Sequence, residues 1–305
     1  MAHDESLGAL YAEARRRGPV VDLGGRAMWR LSGGDRVRYL NGQVTNDIRR
    51  VRGDAAIEAC VTTAKGRLCG LIFVSSEPDF LRIDAEGELR EGRAGRLERY
   101  IIADDAVLEN VTGAECFFHL IADVPPEMSA GVTVRKAKRY GRMGFDFIAP
   151  IGEREQVLEA SNGVLVPAEL AECLRIEGGV PRWGAELSEE TLPPEAGLDE
   201  AAIDYHKGCY IGQEVISRIK SVGHVNRALA GFTAPTALSA GMTLHPEADP
   251  EKNAGEITSA AWSFGLESWA GLGYVKRGFA GATLIARAAA GTTAAVQIRE
   301  LPLIP

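Results

Sequence analysis

The sequence has no apolar run that approaches the ~20 residues needed to cross a lipid bilayer. Its start, Met1 to Glu5, has neither a basic stretch nor an apolar core, so we expect no secretory signal. Cysteine is scarce as well: five are scattered over 305 residues, and none lie in a CxxC pair. That pattern suits neither a disulfide framework nor a zinc or iron–sulfur site. It predicts reduced thiols in the cytoplasm and no metal ligands.

The common catalytic signatures are missing too. The sequence contains no GxGxxG after a predicted strand, no GxxxxGK[ST] loop, no HExxH and no GxSxG. The histidines lie far apart along the chain, which gives little support to a metal site built from them: His3, His119, His206, His224 and His245. Nothing in the pattern favours a Ser/His/Asp triad, although the members of a triad meet in space rather than in sequence.

Positive charge is outnumbered, because 34 Lys and Arg residues stand against 42 Asp and Glu for a net charge of −8 at pH 7. Nucleic acid and anionic membrane repel such a chain on average, unless a local basic patch overcomes the average. The two basic runs, 49–52 and 135–139, have no interleaved aromatic residues, and we interpret both as solvated surface. We therefore predict no direct nucleic-acid partner and no membrane partner.

What the sequence does contain is the composition of a folded globular protein, with 46% hydrophobic and 25% charged residues. Helical and extended segments mix without βαβ regularity in the first part, which predicts an α+β fold rather than a doubly wound sheet. From about Arg227, short extended segments are divided by glycines and prolines, which predicts a small β-sandwich or barrel. We place the domain boundary there, between an α+β region over 1–226 and a C-terminal domain over 227–305.

Several elements can be predicted one by one. A hairpin is expected from strands over 57–63 and 68–75, joined by the turn 64–67. Helices are expected over 5–17, after the turn 32–35, over 88–100 and over 153–160. Further strands are expected over 80–84, 107–111, 115–122, 145–149, 227–233, 256–263, 269–275, 282–287 and 293–298.

The segment HKGCYIGQEVISRIK, residues 206–220, places a cysteine ahead of a predicted helix. Gly212 lets the chain turn tightly into that helix, so Cys209 would lie near its N-terminal end. Free N–H groups there favour a thiolate, and Lys207 could add a cation. Free cysteine is nevertheless among the most often buried residues and usually only packs. The segment alone leaves both roles for Cys209 open.

A longer pattern favours the functional role of Cys209. The segment KGCYIGQE (207–214) follows RIEGGVPRWGAEL (175–187), and three further segments occur in matching order: 31–48, 63–73 and 255–278. With these motifs the sequence resembles the YgfZ family, folate-binding proteins related to the T-protein, the aminomethyltransferase of the glycine cleavage system. The resemblance runs from about residue 20 to about residue 290.

The resemblance implies an α+β, three-domain, ring-like fold of the T-protein type, with two interleaved subdomains before a small C-terminal β-barrel. It implies a central cavity for tetrahydrofolate or a derivative. It also implies a role in assembling or repairing iron–sulfur clusters, with iron–sulfur enzymes or assembly proteins as partners. The motif cysteine, Cys209, would be the working thiol, with Lys207 tuning it.

The same resemblance implies a set of folate contacts. Glu177 matches the glutamate of the T-protein that binds the pterin ring, and a carboxylate can accept a pair of hydrogen bonds from an aminopyrimidine edge. Without the resemblance, Glu177 would be interpreted as a surface or ion-paired carboxylate. Arg175, Tyr210 and Gln213 are the further expected contacts.

One departure from the T-protein bears on the reaction. The T-protein needs an aspartate on the hairpin strand after its glycine turn, and aligning that turn with Gly66 puts Cys69 or Gly70 there. Neither can act as a carboxylate acid or base, which disfavours aminomethyl transfer. An aminomethyltransferase and a non-catalytic folate-binding scaffold, in which Cys209 only packs, stay as alternatives. The sequence leaves open whether Cys69 shares the cavity with Cys209.

Overall fold

Sixteen strands and five longer helices form the part of the chain that the computed structural model describes, residues 5–90 and 96–305. The helices are α1 (Glu5–Arg17), α2 (Arg36–Gln43), α3 (Arg154–Ser161), α4 (Ala168–Glu177) and α5 (Gln213–Val222). The strands are β1 (Pro19–Asp22), β2 (Ala27–Ser32), β3 (Ala56–Thr62), β4 (Leu68–Ser76), β5 (Phe80–Ala85), β6 (Val107–Asn110), β7 (Glu115–Leu120), β8 (Thr133–Ala137), β9 (Gly144–Pro150), β10 (Val164–Leu165), β11 (Arg227–Ala234), β12 (Thr243–Pro246), β13 (Gly255–Ser263), β14 (Ser268–Lys276), β15 (Leu284–Arg287) and β16 (Thr293–Arg299).

The first sheet has the strand order β3-β4-β5-β2-β6 with antiparallel pairs throughout. The predicted hairpin is confirmed as β3 and β4, and Gly66 takes the positive φ of 74° that its turn requires. Above this sheet, α2 buries Tyr39 and Leu40 against the strands, which confirms the helix predicted after residue 35. The hairpin carries a bulge, because Val61 pairs with Gly70 while Thr62 pairs with Leu68.

The second sheet has the order β10-β1-β7-β9-β8, and its only parallel pair is β1 with β10. Its core is aromatic: Phe117, Phe118 and Phe147 are fully buried. The two sheets join at their edges, where Ala55 forms a bridge with Lys136. This junction forms one side of a central cavity.

The C-terminal strands close into a barrel with the order β11-β14-β13-β12-β15-β16, in which β16 pairs back with β11. A barrel rather than a sandwich is therefore the outcome, and it begins at Arg227, where the character of the sequence changes. The first helix packs on this barrel through Tyr11 and Phe264, whose ring centroids lie 5.6 Å apart. The division into domains at residue 227 stays a prediction.

The helix predicted over 88–100 falls partly on residues 91–95, outside the described residues, and 87–89 form a short 3-10 turn. No helix in the described ranges is long and apolar enough to cross a membrane. The α+β class, with a terminal barrel, is confirmed.

Candidate functional site: a central cavity and a motif loop

A cavity of about 1000 Å³ lies where the two sheets, α4 and the end of the chain meet. The hairpin strands contribute Glu58, Leu71 and Phe73 to its wall. Further wall residues come from the loop between β8 and β9, from α4 and the chain after it, and from the chain beyond the barrel: Lys138, Arg139, Tyr140, Arg175, Arg182, Trp183, Ala201 and Leu301. A cavity of this size is at the upper end of those that hold small ligands.

Arg139 is the electrostatic centre of one cavity wall. Its Nε donates to Asp146 Oδ1 at 2.8 Å and its Nη2 to Asp84 Oδ2 at 2.8 Å, so it ties the first sheet to the second. The guanidinium also lies 4.0 Å from the ring centroid of Phe73. Burial lowers the pKa of His119, whose Nδ1 lies 2.8 Å from Asp146 Oδ1. Burial alone would raise the pKa of Asp146, but Arg139 and His119 together lower it to about 2.

Glu58 lies on β3, directly opposite Phe73 of β4. The side chain of Glu58 is half-buried and lines the cavity. Burial raises the pKa of Glu58 to about 7, against the opposing effect of Arg139, Lys138 and Arg26. A carboxyl group with a raised pKa in a cavity wall is a candidate functional group, and it was missed in the sequence.

Arg175 lines the cavity, as expected of a folate contact, but its donors are already used. Nη1 donates to Glu186 Oε2 at 3.0 Å and to the Val180 carbonyl at 2.5 Å, while Nε and Nη2 donate to Glu172 at 2.8 and 2.6 Å. Nη2 also donates to Ser259 on the barrel at 2.7 Å. Arg175 therefore supports the wall and holds α4 to the barrel.

Glu177 does not line the cavity, and its side chain points between α1 and the barrel. It is 2% exposed. Tyr11 Oη donates to its Oε2 at 2.8 Å, and Ser263 Oγ donates to its Oε1 at 2.6 Å. Cys173 Sγ lies 3.4 Å from Oε1 as well. Both carboxylate oxygens are thus satisfied by the protein, so a pterin contact through Glu177 stays a prediction without geometric support.

The motif loop, residues 206–212, lies at a second place, beside α2 and the hairpin turn. Lys207 is 5% exposed, and its ammonium donates to the carbonyls of Asn41, Val44 and Asn46 at 2.6, 2.7 and 2.7 Å. Burial lowers the pKa of Lys207 to about 8, although three carbonyl acceptors suit the three N–H donors of its charged form. Lys207, which was predicted to tune Cys209, thus donates its hydrogen bonds to the backbone of a neighbouring turn.

Cys209 is exposed, whereas the other four cysteines are buried. The helix predicted to follow it is confirmed as α5, and Gly212 stands before its first residue with φ of 89°. Tyr210 is buried among Ile203 and Ile216, with a hydroxyl that has no hydrogen-bond partner among the described residues. Gln213 begins α5. None of these side chains lines the central cavity.

Asn46 connects the two places. Its carbonyl accepts from Lys207, and its Nδ2 donates to the carbonyls of Glu58 and Ala201 at 2.7 and 3.0 Å. Both of those residues belong to the cavity wall. Asn46 therefore joins the motif loop to the cavity wall. The predicted site residues nevertheless lie in three separate places: Arg175 in the cavity wall, Glu177 between α1 and the barrel, and the others in or next to the motif loop.

Cys69 does not join either group. It is the extra residue of the bulge on β4, and it is buried in the core beside Trp29 and Leu97. A bulge redirects the side chain it carries, which explains why Cys69 is absent from the wall although Leu71 and Phe73 belong to it. In the described part of the chain, no group of three or more His, Cys, Asp or Glu side chains could hold a metal ion.

No family model matches the chain. It is 27% identical to the tRNA-modifying protein YgfZ of Yersinia pseudotuberculosis serotype IB (strain PB1/+) over 228 residues, 69% of each chain. It is also 27% identical to the protein of that name from Enterobacter sp. (strain 638) over 236 residues, 72% of each chain. The chain is a homologue of the YgfZ proteins. The resemblance seen in its motifs is thereby confirmed.

A solved structure confirms the fold of this YgfZ homologue. Aminomethyltransferase T of the glycine cleavage system from Bartonella henselae superposes with a TM-score of 0.85, covering 98% of this chain and 89% of that one. The two sequences are 15% identical, so the likeness concerns the fold. The T-protein-type architecture predicted from the sequence is correct.

Proposed function

We propose that this YgfZ homologue binds tetrahydrofolate, or a derivative, in the central cavity and acts as an accessory protein for iron–sulfur cluster assembly or repair. The observation that carries the proposal is the pairing of two features in a T-protein-type fold. One is a cavity of about 1000 Å³ between the sheets, and the other is an exposed cysteine in the KGCYIGQE motif. Asn46 links the two.

The cavity wall suits a folate. Phe73, Tyr140 and Trp183 supply aromatic surface for flat heterocyclic rings. Lys138 and Arg182 supply cations that suit the acidic tail of such a ligand. Lys138 has no ion pair with any residue that the structure describes, so its charge is available. A bound tetrahydrofolate would supply a carrier for a one-carbon unit.

Cys209 is the proposed working thiol. A thiol that only packs is buried, as the other four are in this chain, whereas Cys209 faces solvent. This exposure speaks against the alternative in which Cys209 fills space in a scaffold. Lys207 joins the motif loop to the turn at 41–46 through three hydrogen bonds to its carbonyls, which makes it a positioning residue in this proposal.

The relatives are named for tRNA modification, and we propose that the clients of this chain include iron–sulfur enzymes that modify tRNA. Direct binding of nucleic acid is not part of the proposal. In the two basic runs, Arg49 is paired with Asp47, Arg50 with Asp204, and Arg135 with Glu77. These pairs remove much of the net positive charge that a phosphate backbone would need.

Complementation tests the proposal. In a strain that lacks the gene, the wild-type chain should restore the activity of iron–sulfur enzymes, and Cys209→Ala and Cys209→Ser should not. Full rescue by both variants would remove the thiol from the function. Calorimetry should show that the purified chain binds tetrahydrofolate more tightly than folic acid, and no binding of either would contradict the folate part.

The fold likeness to an aminomethyltransferase favours a second candidate function. Against it, the position where the T-protein needs its aspartate matches Cys69 or Gly70, neither of which is a carboxylate, and Cys69 is buried in the core. We expect no release of ammonia or methylenetetrahydrofolate when the chain is mixed with tetrahydrofolate and a loaded lipoyl carrier. Turnover in that assay would restore the transferase hypothesis.

A further inference from the structure

Glu58 is a half-buried acidic residue of the cavity wall, whereas Glu88 and Glu200, which also lack a partner in the described ranges, are exposed to solvent. Glu86 is held by Arg26 at 2.8 Å and Glu172 by Arg175 at 2.6 Å. The carboxyl group of Glu58 has no hydrogen bond and no ion pair with any residue in the described ranges. A recessed carboxyl group whose acceptors are free in a cavity wall is a candidate contact for a ligand that supplies N–H donors.

The charged groups around Glu58 do not supply that partner. The cations that act on it are Arg26, Lys138 and Arg139. Arg139 is bound to Asp84 and Asp146 through five hydrogen bonds, and Arg26 is bound to Asp84 and Glu86. Lys138 belongs to the same wall and is exposed. These cations favour the ionised form of Glu58, but none of them forms a hydrogen bond or an ion pair with its carboxylate.

The surroundings of Glu58 match one part of a folate. Phe73 lies directly across the strand pair, and Leu71 lies two residues away from it on the same face of β4. A carboxylate bordered by apolar and aromatic surface suits a flat ring that presents adjacent N–H donors at one edge. The aminopyrimidine edge of a pterin has that form, with a ring N–H beside an amino group.

We propose that Glu58, rather than Glu177, is the carboxylate that holds the aminopyrimidine edge of the folate's pterin ring. The inference rests on the proposed function, because it requires a folate in the central cavity. Glu177 is less suited to that role, because both of its oxygens accept hydrogen bonds within the protein and it does not line the cavity. Glu58 has the free acceptors and the cavity position that Glu177 lacks.

The proposal has a proton signature. Because burial raises the pKa of Glu58 to about 7, a fraction of the molecules carry a proton on this group at neutral pH. Two N–H donors of a bound pterin favour the ionised form, so binding lowers the pKa and releases that proton. Binding should therefore release protons at pH 7 and release far fewer at pH 8.5.

Calorimetry with tetrahydrofolate kept under argon tests the inference. The titration is run at pH 7 in two buffers of different ionisation enthalpy, with the wild type, Glu58→Gln, Glu177→Gln and Glu155→Gln. Glu155 is an exposed carboxylate of α3 that does not line the cavity, and it serves as the matched control. Loss of the charge on Glu58 should weaken binding by roughly tenfold or more and abolish the proton release. Glu155→Gln and Glu177→Gln should stay within about twofold of the wild type, which is well below the cost of a lost charged hydrogen bond.

The outcomes distinguish folate binding in the cavity from the role of Glu58 in that binding. Wild-type affinity and wild-type proton release in Glu58→Gln would overturn the role of Glu58 while leaving the proposed function intact. A large loss in Glu177→Gln with none in Glu58→Gln would return the role to Glu177. If the wild type binds no tetrahydrofolate, the proposed function is wrong, and the role of Glu58 falls with it.

Discussion

Lys207 donates a hydrogen bond of 2.7 Å to the carbonyl of Asn46, the residue whose side chain holds the wall of the cavity. The lysine of the motif therefore acts on the backbone of a turn. Because the side chain of Asn46 donates to the carbonyl of Glu58, the turn holds the strand segment that carries Glu58 in the cavity wall. This geometry suggests that the lysine of the KGC motif is a positioning residue.

Replacing Lys207 by Met should destabilise the fold. The carbonyls of Asn41, Val44 and Asn46, of which that of Val44 is buried and the other two are partly buried, would lose their donor, and a buried acceptor without a donor costs about 1–3 kcal/mol. We expect the free energy of unfolding in urea to fall by at least about 3 kcal/mol. Lys65→Met, at an exposed lysine of the hairpin turn, is the control and should change it by less than about 0.5 kcal/mol. Equal stability of both variants would show that the three bonds contribute little.

Gly212 is the residue at which the motif loop packs closely on the hairpin turn. It has φ of 89°, and a Cβ there would lie 2.5 Å from the carbonyl oxygen of Thr63. Gly212→Ala should therefore lower the free energy of unfolding by about 2 kcal/mol or more. The matched control is Gly208→Ala, because a Cβ at Gly208 meets nothing within 4 Å. A similar loss in both variants would contradict the packing of the loop on the hairpin turn.

Much of this fold could be predicted from local patterns. The hairpin around Gly66 and the short strands after Arg227 carry alternation and turn residues that are independent of distant contacts. By contrast, α4 escaped prediction, because its sequence AELAECLRIE buries Arg175 and Glu177, which an isolated amphipathic helix would expose. Only the barrel and α1, which supply their partners, make that burial possible.

The site was harder to predict than the fold. The motif at 207–214 identified the exposed thiol, because it depends on residues adjacent in sequence. The cavity wall depends on residues from both sheets and α4, and no local pattern marks it. One signal was present: Glu58 is a charge within the otherwise apolar strand segment IEACV, and its neighbours predict a strand that leaves it in the interior.

The exposure of Cys209 predicts a simple stoichiometry of thiol alkylation. The native chain should react with one equivalent of iodoacetamide, and Cys209→Ser should react with none over the same time. The other four thiols are buried, and burial raises the pKa of Cys60, Cys116 and Cys173, which makes them less reactive. In denaturant all five should react. Mass spectrometry that locates the native label on another cysteine would contradict the exposed position of Cys209.

The pH dependence of stability offers a test of Glu58 that needs no ligand. Its pKa is raised to about 7 in the folded state from 4.5, so between these values the folded chain binds more protons than the unfolded chain. The contribution of Glu58 to stability is therefore lost as pH rises from 4.5 to 7, and the cost stays constant above 7. Removing the charge with Glu58→Gln should stabilise the fold by roughly 1–3 kcal/mol at pH 8 and leave it nearly unchanged at pH 4.5.

The difference between the two chains isolates this effect. Burial also lowers the pKa of His119, which makes the fold less stable as pH falls below 6.5, but His119 is present in both chains and cancels in the difference. Urea unfolding of wild type and Glu58→Gln at half-unit steps from pH 4.5 to 8.5 gives the curve. A difference that rises with pH and levels off near 7 to 8 is expected. A flat difference would mean that Glu58 ionises in the fold as it does in water, and that its carboxylate is solvated rather than held ready for a ligand.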